Sequence, residues 1–361
     1  MISWGLSGTK GLPSYVEPTP APTATATPRP DPVPLPGEAC LELELSHDET
    51  GIYVFDVTTC VLGQFNAAPS DADVTWSPDG SKLAFVRFTA PSTEAGSNIF
   101  VLDLQNGVET QVSFAPDERK HSLTWSPDGS ELAFYMRSYT GYGQSENFGL
   151  WTLDVATSKQ KLLLPDSVHG YCLYAWSPDS KSIAAGCTHG PLYLIDVASG
   201  ERRVLDEQHG FGDPAWSPDG QMIAYSCENE GLSGYFACAI KADGSGRVMF
   251  EDSGAGAIWS LSGDRVVFSD GNTLFFGDPA TGSYTRVIEE WAGGEPRAFL
   301  SERVLAGFTC SPNVAPCIGH QLLTDIDAGK TIEAIVGPGS RWSPNRRYIA
   351  FAIGDTGVRA L

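Results

Sequence analysis

Trp76-Ser77-Pro78-Asp79-Gly80, followed two residues later by Leu83-Ala84-Phe85, is a phrase to which the chain keeps returning. It recurs as Trp125-Ser126-Pro127-Asp128-Gly129 with Leu132-Ala133-Phe134. It recurs again as Trp176-Ser177-Pro178-Asp179 with Ile183-Ala184-Ala185, and as Trp216-Ser217-Pro218-Asp219-Gly220 with Ile223-Ala224-Tyr225. Looser copies stand at Trp259-Ser260 with Val266-Val267-Phe268 and at Trp342-Ser343-Pro344 with Ile349-Ala350-Phe351. A worn copy stands at Phe299-Leu300-Ser301 with Val304-Leu305-Ala306. From one aromatic anchor to the next the steps are 49, 51, 40, 43, 40 and 43 residues, a period that marks arrays of small repeated units.

Ser-Pro-Asp-Gly is turn chemistry. Proline presets φ at the first central position, Asp suits the second, and Gly accepts the left-handed conformation that follows. Such a turn joins two antiparallel strands. After it, Leu83 and Phe85 point one way and Ala84 the other, as in a strand buried on both faces with a small residue where a second sheet comes close. The Trp supplies a flat anchor between sheets. The second half of each unit repeats too. Asn98-Ile99-Phe100-Val101-Leu102-Asp103 leads to Gly107, and Leu192-Tyr193-Leu194-Ile195-Asp196 leads to Gly200, each a third strand and a tight turn before a short fourth strand. Four strands per unit, repeated radially, is a β-propeller blade.

The phrase resembles the WD-repeat-like propeller repeats of TolB, which also occur in propellers of the prolyl oligopeptidase family. The resemblance spans roughly residues 40–361 and is to a repeat class, so it implies a fold and little function. The expected architecture is all-β: a propeller of seven four-stranded blades, with six or eight as the alternatives. Ile52-Tyr53-Val54-Phe55-Asp56 reads as a third strand without a preceding Trp hairpin, and Trp342 opens a hairpin with little after it. Joining the two ends in one blade closes the ring, and closure removes two exposed sheet edges.

Outside the repeats the chain divides into a segment 1–16 and a Pro/Thr-rich spacer 17–39. The spacer's EPTPAPTATATPRPDPVPLP cannot bury a core. Residues 40–361 form one domain. Leu41 to Leu45 is surplus to the blade count. The N-terminal segment lacks the basic and apolar regions of a signal peptide, and no apolar run is long enough to span a bilayer. The formal charge of −21 argues against nucleic acid as a partner.

Eight cysteines fall into local pairs: Cys40 with Cys60, Cys172 with Cys187, Cys227 with Cys238, and Cys310 with Cys317. Each pair brackets a predicted hairpin, so four disulfides and an extracytoplasmic location are expected.

In this repeat order the links from second to third strand, and from blade to blade, emerge on one face. The tight turns emerge on the other. Long links favour function, and residues 138–148 (SYTGYGQSENF) form one, with Tyr139, Tyr142 and Glu146 beside Arg137. His169 and His209 each lie seven residues before their blade's Trp, His121 four before Trp125, and Asp213 and Asp73 three before theirs. Arg137, Tyr139, Tyr142, Glu146, His121, His169, His209 and Asp213 are the candidate ligand-binding set near the channel mouth. No G-x-S-x-G, H-E-x-x-H or phosphate-cradling G-x-x-x-x-G-K motif occurs. The expectation is a monomeric, non-catalytic binding module for a protein, peptide or glycan, with no cofactor. The alternatives are a metal-assisted lyase or hydrolase using His169, His209 and Asp213, and a structural part of a larger envelope protein.

Overall fold

The computed structural model describes residues 50–59, 61–68, 70–89, 96–114, 118–137, 148–165, 172–187, 190–207, 212–228, 234–251, 256–291, 295–310, 319–334, 340–354 and 357–358. Segments 1–16 and 17–39, the stretch Leu41 to Leu45, Cys40, Cys60 and Cys317 therefore lie outside the described residues. Strands account for all the regular structure described, and they form seven sheets arranged as the blades of a ring. The seven-bladed β-propeller expected from the repeat is the fold of the chain.

Blade 1 runs from the inside outward through Asp71–Trp76, Lys82–Phe88, Ser97–Asp103 and Glu109–Gln111. The inner strands of blades 2 to 6 are Arg119–Trp125, Cys172–Trp176, Ala215–Trp216, Ala257–Trp259 and Glu295–Phe299. The worn copy at Phe299 thus opens a full blade. Blade 7 joins both parts of the chain. Its inner strands Arg341–Trp342 and Tyr348–Gly354 come from the C-terminal part, and its outer strands Gly51–Asp56 and Val61–Gln64 from the N-terminal part. Six residue pairs, Gly51↔Ile353 through Asp56↔Tyr348, make the junction. A short strand Gly357–Val358 turns back and pairs with Ile353 and Gly354, which makes this blade five-stranded.

The recurrent phrase works as one device in blades 1 to 4. Ser77 Oγ donates to Asp79 Oδ1 at 2.6 Å and accepts the Lys82 N–H at 2.9 Å, while Gly80 takes φ +71°. Ser126, Ser177 and Ser217 repeat both bonds with their own turn. Ser180 and Arg346 occupy the left-handed position without being glycine, at φ 62° and 61°. The third-strand Asp does the same for the next turn. Asp196 accepts from the Ser199 N–H and Oγ, and Asp154 from Thr157 in the same way. Much of the negative charge is therefore turn scaffolding.

Between blades lie seven apolar layers. Ala84 packs toward blade 2, and Leu83 and Phe85 toward blade 7, all three fully buried. Seven layers close a circle in which no sheet keeps an apolar face bare. The junction of blades 7 and 1 also holds a half-buried polar network. Arg87 makes a bidentate pair with Asp71 at 2.7 and 2.8 Å and bonds Glu109 at 2.8 Å. Asn66 donates to both carboxylates. Disulfides Cys172–Cys187 and Cys227–Cys238 are present. Cys187 and Cys227 hold equivalent places in their second strands, yet one bonds to the first strand and the other to the third. Cys310 ends a described strand, but its side chain, and hence its pairing with Cys317, falls outside the description.

Candidate functional site: the channel mouth

The seven inner strands surround the axis, and among the described residues three of them carry β-bulges. In blade 1 Asp73 and Val74 together oppose one residue of the next strand. In blade 2 Ser122 and Leu123 do so, and in blade 6 Arg297 is the extra residue. A bulge re-aims side chains at a chosen place. Asp73 and Ser122 adopt φ 52° and 60°, a conformation that is costly outside glycine and concentrates at functional positions.

These residues are wired to their neighbours around the ring. Asp73 Oδ2 accepts the Leu123 N–H at 2.8 Å, so blade 1 fixes the bulge of blade 2. Burial pushes the Asp73 carboxyl up, against the opposing pull of Arg341 and of the Leu123 and Ser122 N–H groups. Tyr174 of blade 3 donates its hydroxyl to the Ser122 carbonyl. His121 lies half-buried on the same strand, with Nδ1 3.0 Å from Ser122 Oγ and its ring against Tyr135. Next to it Lys120 is fully buried, donating to the carbonyls of Ser97 at 2.7 Å and Glu118 at 3.3 Å. Burial lowers its pKa to about 8.

The bulges have a consequence one blade on. Trp76, Trp216 and Trp259 each donate their indole N–H to the carbonyl preceding the aromatic anchor of the previous blade: Arg341, Ala175 and Ala215, at 2.9 to 3.1 Å. Trp125 and Trp176 would need the carbonyls of Thr75 and Thr124, which follow the two bulges. Their indole nitrogens are buried without a partner among the described residues. Such groups are rare in folded proteins, and here both trace to the same stretch of channel wall.

Across the opening, Arg297 Nη1 reaches Asp213 Oδ2 at 2.8 Å. Asp213 belongs to blade 4 and Arg297 to blade 6, and the inner strand of blade 5 stands between their blades. The contact is therefore a chord across the mouth.

Of the residues singled out in the sequence, His121 and Asp213 are on this wall, and Arg137 ends its strand at the link face. Tyr139, Tyr142, Glu146, His169 and His209 lie outside the described residues. No group of three or more metal-ligating side chains occurs among the described residues. The repeat pattern missed Arg297, Ser122, Tyr174 and Arg341. Arg297 sits in the most degraded copy of the phrase. A polar residue one to three places before an anchor, where the pattern sets no residue type, was the available signal.

No protein-family model matches the chain, and no characterised relative matches it by sequence. Solved structures do match. An oligogalacturonate lyase in complex with manganese aligns with TM-score 0.61 and 15% identity over 85% of this chain and 95% of that one. The oligogalacturonate lyase of Vibrio parahaemolyticus aligns with TM-score 0.59 and 14% identity over 84% and 98%. A putative TolB from Agrobacterium tumefaciens has 22% identity and TM-score 0.48 over 87% and 99%. At such identities the likeness is one of fold.

Proposed function

We propose that this chain is a non-catalytic, extracytoplasmic propeller that holds a protein, peptide or glycan at its link face, with the channel mouth as the centre of the site. The observation that carries this reading is the pair of bulges in adjacent blades: Asp73 and Ser122 are left-handed there, and among the described residues the buried indole nitrogens of Trp125 and Trp176 one blade on have no partner. Tyr139, Tyr142, Glu146 and Arg137 extend the proposed surface along the link of blade 2, because Tyr and Arg are favoured binding anchors. The two described disulfides support an oxidising compartment.

The test is capture from an envelope extract by the full chain. A Tyr139→Ala/Tyr142→Ala variant should lose the captured partner while keeping the wild-type melting temperature. Unchanged capture would remove that link from the site. The alternative, a metal-assisted lyase or hydrolase, draws its support from the two lyases of similar fold. It predicts bound transition metal in the purified protein and cleavage of acidic polysaccharide that depends on it. Asp213, the one described member of the proposed His169, His209 and Asp213 set, is engaged by Arg297.

A further inference from the structure

Among the described residues ion pairs tie elements of this chain together at several places, and one of them spans blades that are not neighbours. Arg87–Asp71, Arg247–Asp206 and Arg347–Asp56 lie at seams between strands or blades, and their carboxylate side chains are 0%, 9% and 4% exposed. The Arg297–Asp213 pair is 45% and 52% exposed and joins blades that are not neighbours. A pair so open to water adds little stability. It is also exchangeable, since an incoming cation can replace the arginine without uncovering a buried charge. Arg297 is the extra residue of the bulge in its strand.

We infer that the channel mouth receives a lysine or arginine side chain of a peptide on Asp213, and that Arg297 is the chain's own competitor for that position. The inference rests on the binding-module reading above and narrows it to one ligand class. A net charge of −21 draws cationic partners toward the surface and repels polyanions.

The experiment is fluorescence anisotropy of a labelled (Lys-Gly)3 peptide titrated with the full chain at low salt. Three variants separate the site from general attraction: Asp213→Asn, Arg297→Ala, and Asp278→Asn on the turn face. Asp213→Asn should weaken binding about tenfold, Arg297→Ala should tighten it about fivefold, and Asp278→Asn should leave it unchanged. Melting temperatures serve to discard a misfolded variant, and Arg297→Gln replaces Arg297→Ala if the latter is unstable. Arg297→Ala that weakens binding, or Asp278→Asn that matches Asp213→Asn, overturns the inference. Competition by spermine as effective as by unlabelled peptide overturns the peptide assignment. Capture of an extract partner at the link face that ignores Asp213→Asn sinks the inference and leaves the broader reading standing.

Discussion

At the scale of single residues, the repeated Trp is a matched set of experiments within one chain. Trp76 and Trp125 are both 7% exposed and hold the same place in adjacent blades. Trp76 Nε1 donates to the Arg341 carbonyl at 2.9 Å, whereas Trp125 Nε1 is buried without an acceptor among the described residues. Replacing Trp by Phe removes the N–H and keeps most of the apolar surface. Trp76→Phe loses a hydrogen bond and leaves a carbonyl unpaired, while Trp125→Phe removes an unpaired donor. Urea unfolding should show Trp76→Phe to be the more destabilising by about 1 kcal/mol. Equal losses would mean that the bulge of blade 1 does not deprive Trp125 of its bond.

At the scale of strands and hairpins, the disulfides staple blades 3 and 4. Cys172 and Cys187 face each other in register across one hairpin, with a sequence separation of 15. Restricting the unfolded chain over such a loop stabilises by about 3 kcal/mol in the chain-entropy model. The Cys172→Ala/Cys187→Ala double variant should lose about that much by chemical denaturation. Thiol titration of the denatured, unreduced protein should find close to no free cysteine, which extends the pairing to Cys40 with Cys60 and Cys310 with Cys317. Four reactive thiols would restrict it to the two described bonds.

At the scale of the whole molecule, the ring depends on how its last blade is closed. Asp56 ends the N-terminal strand and meets Arg347 of the C-terminal hairpin at 2.7 and 3.1 Å, with Thr58 donating twice more. Burial pushes the Asp56 carboxyl up, but hydrogen bonds from Arg347 and Thr58 outweigh it and hold the pKa at about 2, against an ordinary 3.8. A depressed carboxylate stabilises the fold fully above 3.8 and loses that contribution as pH falls from there toward 2. Acid unfolding of the wild type should therefore steepen between about pH 4 and pH 2. Asp56→Asn should be less stable at pH 7 and shallower in that window. A variant with the wild-type acid profile would show that the closure draws nothing from this pair.

The repeat made most of the fold legible, because each copy of the phrase specifies a local hairpin whose faces need partners, and only a circle of them provides one on every side. Blade number, ring closure and the local cysteine pairs Cys172–Cys187 and Cys227–Cys238 follow from that local chemistry. The site did not follow. Whether Cys187 bonds inward and Cys227 outward depends on strand register. Whether Asp73 and Ser122 take the left-handed conformation depends on an extra residue in one strand. That Asp213 meets Arg297, 84 positions away, depends on the diameter of the closed ring. Sequence acts through neighbours along the chain, whereas the mouth is assembled from blades that meet only after closure.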